Sequence, residues 1–184
     1  MSKKLFVISG HGAGDPGAGG GGKSEAILVR QLAARLKAWG GSNVKRSAYK
    51  RNYYADKGVS RMTLSKSKWA VIELHMDSAG ATAKGAHVIV STKAKPSDSA
   101  KKLAVSISDM LPGRSEKLVL RSDLRNPNAA ALKGYDYKLV ECGFISNKRD
   151  REYFLAHMDD IAKAILEAHG IKPLAKPISV KCPW

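Results

Sequence analysis

Short apolar runs alternate with longer segments of helical period along most of this chain, and that alternation constrains its fold more than any other feature. The runs LFVIS from Leu5, WAVIELH from Trp69, AHVIVS from Ala86 and YKLVEC from Tyr137 read as buried strands. Between them, Ile27, Leu28, Leu32, Leu36 and Trp39 recur at helical spacing over 24–39, and Leu103, Ile107, Met110 and Leu111 do so over 96–111. Gly40-Gly41 and Pro112-Gly113 stop these two helices. A third periodic stretch predicts one long helix over 148–169, with Asn147 as its N-cap and Asp150 three residues on. Shorter strands are expected over 44–49 and 117–120, and 54–67 reads as a polar helix or loop. Strands alternating with helices predict a single α/β domain with a mostly parallel sheet over residues 1–170. Residues 171–184 hold three prolines and no periodicity, which predicts a linker or tail.

Composition narrows the class. A chain of 184 residues with 43% hydrophobic content buries a substantial core. No apolar run approaches the roughly 18 residues of a membrane helix, so no membrane insertion is expected. The apolar stretch after the basic start is too short for a signal peptide. Thirty-two Lys and Arg against 16 Asp and Glu give a net charge of +16, which draws the chain to polyanions. The cations are dispersed, from Lys3 and Lys4 to Lys148, Arg149 and Arg151, without an aromatic-interleaved stripe. Specific nucleic-acid readout is therefore not expected. Cys142 and Cys182 form neither a disulfide framework nor a CxxC site and read as free thiols.

Four residues stand where strands end or helices begin: His11, Glu25, His75 and Glu141. Each has an ordinary alternative. His11 is a loop histidine among glycines, and His75 closes the strand WAVIELH, on the face of Trp69, Val71 and Glu73, where a satisfied core histidine would also fit. Glu25 suits the first turn of a helix through the dipole, yet it lies on the buried stripe of Leu28, Leu32 and Leu36, where a carboxylate needs a partner. Glu141, in the strand from Tyr137, could make an edge salt bridge. Together they converge, because open α/β sheets bind ligands beyond the carboxyl ends of their strands. Two histidines and a glutamate are a ligand set for catalytic zinc with one position open to water. A further carboxylate is what a metal hydrolase uses to move protons. His87, His157 and His169 read as structural or surface residues.

A competing motif is present. Residues 17–24, GAGGGGKS, match GxxxxGK[ST], the phosphate-cradling loop of nucleotide hydrolases. In that motif the strand runs almost directly into the first glycine, whereas residues 10–16 intervene here. A polyanion- or nucleic-acid-binding α/β module without catalysis is the other alternative.

The blocks SGHGAGDPGA from Ser9, Ser24-Glu25, ELHMDSA from Glu73 and VECGFISN from Val140 resemble the zinc-dependent N-acetylmuramoyl-L-alanine amidases of the amidase type 3 family, found in bacterial autolysins and phage endolysins. The likeness runs from about Lys4 to His169. It implies that His11, Glu25 and His75 hold one Zn²⁺ and that Glu141 is the catalytic acid/base. It also implies a twisted six-stranded sheet flanked by helices on both faces, and peptidoglycan as substrate. Around its second histidine the family usually carries a small residue and Asn, where this chain has Glu73, Met76 and Asp77. The expectation is a monomeric lytic enzyme, held to the wall by anionic polymers. A phage lysin is expected, resident in the host cytoplasm until release, with 171–184 leading towards a wall-binding domain.

Overall fold

The computed structural model describes residues 4–12 and 14–181. Its strands are β1 Lys4–Ser9, β2 Gly19–Gly20, β3 Lys23–Ser24, β4 Val44–Arg46, β5 Trp69–Asp77, β6 His87–Ser91, β7 Leu118–Arg121 and β8 Tyr137–Phe144. Its helices are α1 Glu25–Gly40, α2 Asp98–Met110, α3 Arg125–Leu132, α4 Lys148–Ala156 and α5 Met158–Ala168.

Six strands form one sheet in the order β4-β1-β5-β8-β6-β7, and β2 pairs with β3 in a separate hairpin. Every neighbouring pair in the large sheet is parallel except β6 with β8. The mostly parallel α/β architecture is therefore as expected, with an antiparallel joint toward one edge. Alternation along β1 sends Leu5 and Val7 to one face and Phe6 and Ile8 to the other, and all four are buried. The first face packs against Leu28 and Leu32 of α1, Leu103 and Ile107 of α2, and Ile161 and Ile165 of α5. The second is covered by Ala130 of α3 and by Tyr53, Val59 and Met62 from the turns before β5. Helices thus flank both faces.

Three local expectations change, while 54–67 takes the loop alternative as a run of turns. Strand β4 ends at Arg46. Helix α3 was not foreseen: its segment RNPNAAAL has no apolar period, and Pro127 sits in the first turn, where a missing N–H costs little. The helix expected over 148–169 breaks at His157 (φ −119°, ψ 23°). Phe154, Met158, Ile161 and Ile165 keep one apolar period across the break, which hides it in the sequence. The bend lets α4 pack on β8 while α5 packs on α1 and α2. Asn147 caps α4 as predicted, its side chain accepting the Asp150 N–H at 3.2 Å.

Past α5 the chain returns to the domain. Leu174 N–H donates to the Trp39 carbonyl and Ile178 N–H to that of Ala38, at 2.9 and 3.0 Å. Cys182 lies outside the described residues.

Candidate active site

The first site residue is placed by an uncommon backbone. His11 follows β1 at φ +64°, a left-handed conformation that is uncommon outside glycine and that Asn, Asp and His adopt more readily than other side chains. Gly10 and Gly17 make room beside it. A Cβ at Gly10 would stand 2.5 Å from His75 Cε1, and one at Gly17 would stand 2.7 Å from His11 Nε2 and 2.8 Å from Glu25 Oε2. Glycine is required at both positions because the His11, Glu25 and His75 side chains occupy that space.

Glu25 opens α1 and points inward, only 4% exposed, as its place on the apolar stripe requires. Its Oε1 lies 3.0 Å from His11 Nε2 and 2.9 Å from His75 Nδ1. Backbone donors steady it: Met76 N–H to Oε1 at 3.0 Å and Ala18 N–H to Oε2 at 3.1 Å. One donor atom from each of His11, Glu25 and His75 falls within a 4.8 Å span. These three side chains could hold a metal ion.

The opposite ring nitrogens are engaged as well. His11 Nδ1 meets Asp15 Oδ2 at 3.0 Å, and Asp15 is fixed by the Gly17 N–H at 3.0 Å and by Asn52 Nδ2 at 2.9 Å. His75 Nε2 faces Glu73 Oε1 at 3.5 Å. Glu73 is buried and accepts from Asn126 Nδ2 at 3.0 and 3.2 Å and from the Tyr137 hydroxyl. A carboxylate behind each imidazole orients the ring and selects the tautomer whose other nitrogen carries the lone pair. Asp15 and Glu73 were not singled out from the sequence. Glu73 had one usable signal, since residues two apart on a strand share a face.

Glu141 pairs in register with His75 across β5 and β8, so both side chains stand on the same face. Its Oε2 is buried and has no hydrogen-bond partner among the described residues. Burial pushes its pKa up to about 8; His75 opposes the shift, while the Asp77, Glu25 and Glu73 carboxylates add to it. Burial also works against a charged ring at His11 and at His75. The surrounding carboxylates outweigh it: His11 stands above its ordinary pKa and His75 well above. The two rings in turn hold Glu25 far below the carboxylate range despite its burial. Asp15, Glu25, Glu73, Asp77 and Glu141, five carboxyl groups, gather around His11 and His75, with His87 Nε2 3.9 Å from Asp77, in a chain whose net charge is +16. The site is a local concentration of negative charge that calls for a cation.

Residues 5–171 match the amidase type 3 family, N-acetylmuramoyl-L-alanine amidase. The chain belongs to that family. Among curated relatives, the probable autolysin PH of Staphylococcus aureus is 31% identical over 94% of this chain, which spans 39% of that protein. Among solved structures, an N-acetylmuramoyl-L-alanine amidase from Clostridium difficile 630 superposes with a TM-score of 0.73 at 18% identity, covering 91% of this chain and 95% of that one. The catalytic domain of the CD27L endolysin gives 0.72 at 19% identity, covering 95% and 99%. At such identities these structures show the shared amidase fold.

The competing glycine-rich motif and the thiol beside Glu141 both have settled places in this geometry. The GxxxxGK[ST] match folds as a hairpin, Gly19 pairing with Ser24 and Gly20 with Lys23, so its backbone groups face one another instead of ringing a phosphate. Cys142, next to Glu141, points to the opposite face of the sheet into the main core, and burial raises its thiol pKa far above the ordinary value. No nucleophile is available there.

The crowding at Gly17 makes a direct prediction for this amidase-family site. Gly17→Ala puts a methyl group against His11 and Glu25 at φ +65°. Metal affinity, measured by competition with a chelating dye, should fall by roughly tenfold or more with the fold intact by circular dichroism. Unchanged affinity would mean that the metal sits elsewhere.

Proposed function

We propose that the chain hydrolyses the amide between the lactyl group of N-acetylmuramic acid and the L-alanine of the stem peptide in peptidoglycan. In this reading His11, Glu25 and His75 hold Zn²⁺, and Glu141 is the acid/base. One observation carries it: three donor atoms of a zinc-type set converge within 4.8 Å, and the adjacent Glu141 carboxylate oxygen is buried without a hydrogen-bond partner among the described residues. Family membership supplies the substrate class.

The donor set fits the ion, since two imidazoles and one carboxylate suit zinc and leave a coordination position open. Zinc, when bound, supplies a Lewis acid and lowers the pKa of water. The remaining chemistry belongs to side chains. Glu141 Oε2 takes a proton from the attacking water and returns it to the alanine nitrogen as the C–N bond breaks, leaving a lactyl carboxyl and a free amine. Burial and neighbouring carboxylates raise its proton affinity in the metal-free chain, and a cation on the adjacent ligands would lower it towards the range in which it can take a proton and give it back. Asp15 and Glu73 keep His11 Nε2 and His75 Nδ1 directed at the metal position.

The bond cleaved is the test. Digestion of purified peptidoglycan should liberate new L-alanine amino termini without new reducing sugars. A chelator should stop the release and added zinc restore it. Reducing ends, or release indifferent to chelator, would refute the proposal.

A further inference from the structure

Away from the metal position, the free edge of the sheet carries a second feature. A cleft of about 710 Å³ runs along edge strand β4, walled on one side by α1 and on the other by residues 178–181 of the returning tail. Arg30, Lys37, Lys45, Arg46 and Lys181 line it, and no acidic residue does so among the described residues. The cations come from three separate elements. Cations on a short edge strand also discourage edge-to-edge pairing, but that purpose needs none on α1 or the tail.

The wall of the cleft is built. Arg46 Nη2 donates to the Lys181 carbonyl at 3.3 Å, joining β4 to the tail. Lys37 Nζ donates to the Gly41 and Val44 carbonyls at 2.8 and 2.9 Å, which fixes its charge in place. Arg30 lies against the Tyr49 ring, 5.4 Å from its centroid, and its Nε is buried with no hydrogen-bond partner among the described residues. Arg30 and Tyr49 also line a neighbouring hollow of about 410 Å³ whose other walls include Gly12, Asp15 and Pro16. Asp15 is the residue hydrogen-bonded to His11. The cationic cleft therefore lies next to the loop that carries the site.

We propose that this cleft is an anchoring site for a phosphodiester-linked polyol chain, an anionic polymer of the kind attached to peptidoglycan. Fixed cations on several elements read evenly spaced phosphates as point charges. Two rings line the cleft: Tyr49 is covered by Arg30, and Trp69 packs against the core on the sheet's second face, which leaves little free ring surface for nucleobases to stack on. Adjacency to the His11 loop favours an occupant tethered to the substrate itself. The choice of polymer rests on the wall-hydrolase reading, whereas the cation geometry stands independently.

The test uses the full chain and a synthetic glycerol-phosphate oligomer, with binding measured by fluorescence anisotropy across a salt series. Lys45→Glu with Arg46→Glu should weaken binding about tenfold or more and reduce the salt slope by about two. Lys101 and Lys102 are exposed on α2, away from β4. Lys101→Glu with Lys102→Glu makes the same change in net charge and should cost no more than about threefold. Equal losses in the two double variants would overturn the site, since binding would then follow net charge alone. A thymidine oligonucleotide with the same number of phosphates should be displaced by the glycerol-phosphate oligomer. If it binds more tightly through Lys45 and Arg46, the assigned polymer is overturned. Binding is read without turnover, so loss of the hydrolase reading and loss of this one are separate results.

Discussion

Glu141→Gln should lower turnover by roughly 10²–10⁴-fold while zinc remains bound at one ion per chain. The substitution preserves shape and removes only the ability to accept a proton. Among the described residues Glu141 Oε2 has no hydrogen bond to lose, so the fold should tolerate the change. A second signature follows from the carboxyl pKa of about 8 in the metal-free chain, against an ordinary value of 4.5. The folded state holds that proton more tightly than the unfolded state does. Its stabilising contribution is therefore complete below about pH 4.5 and is lost as pH rises through about 8. Metal-free Gln variant should lack this part of the decline. Near-normal release of alanine amino termini by the variant would remove Glu141 from the proton-transfer role.

His75→Ala should abolish both zinc binding and turnover. A three-ligand catalytic site cannot spare a ligand, and here the loss extends further. Glu25 loses one of the two rings that hold it ionised, and buried Glu73 loses its imidazole partner. The variant should retain far less than one zinc per chain after desalting, by atomic absorption, and release no alanine above background. Stoichiometric zinc in the purified variant would sink the ligand set, whatever the activity.

Much of this site was legible in the sequence because it rests on periodicity and topology. Glu25 shares a helical face with Leu28, Leu32 and Leu36, and all four are buried. His11 follows the end of β1, His75 lies near the carboxyl end of the adjacent parallel strand β5, and Glu141 stands on the next strand in register with His75. What stayed hidden depends on contacts between segments distant in sequence. Asn52 reaches Asp15 across 37 residues, and Asn126 and Tyr137 reach Glu73 across 53 and 64. No periodic pattern encodes such pairings. Helix α3 escaped because its segment has no apolar stripe, and the break at His157 because the stripe runs through it unaltered. The hairpin over the glycine run was masked by a motif that glycine-rich sequence matches cheaply. The cationic cleft is drawn from α1, β4 and the tail, so dispersed charges along the chain become one surface only in three dimensions.

The central claim is that two imidazoles and one carboxylate of this chain hold the metal. X-ray absorption at the zinc edge of the zinc-loaded protein tests it most directly. Two imidazole nitrogens and only oxygen otherwise, at about 2.0–2.2 Å, are expected. A sulfur scatterer near about 2.3 Å, or fewer than two imidazoles, would contradict it.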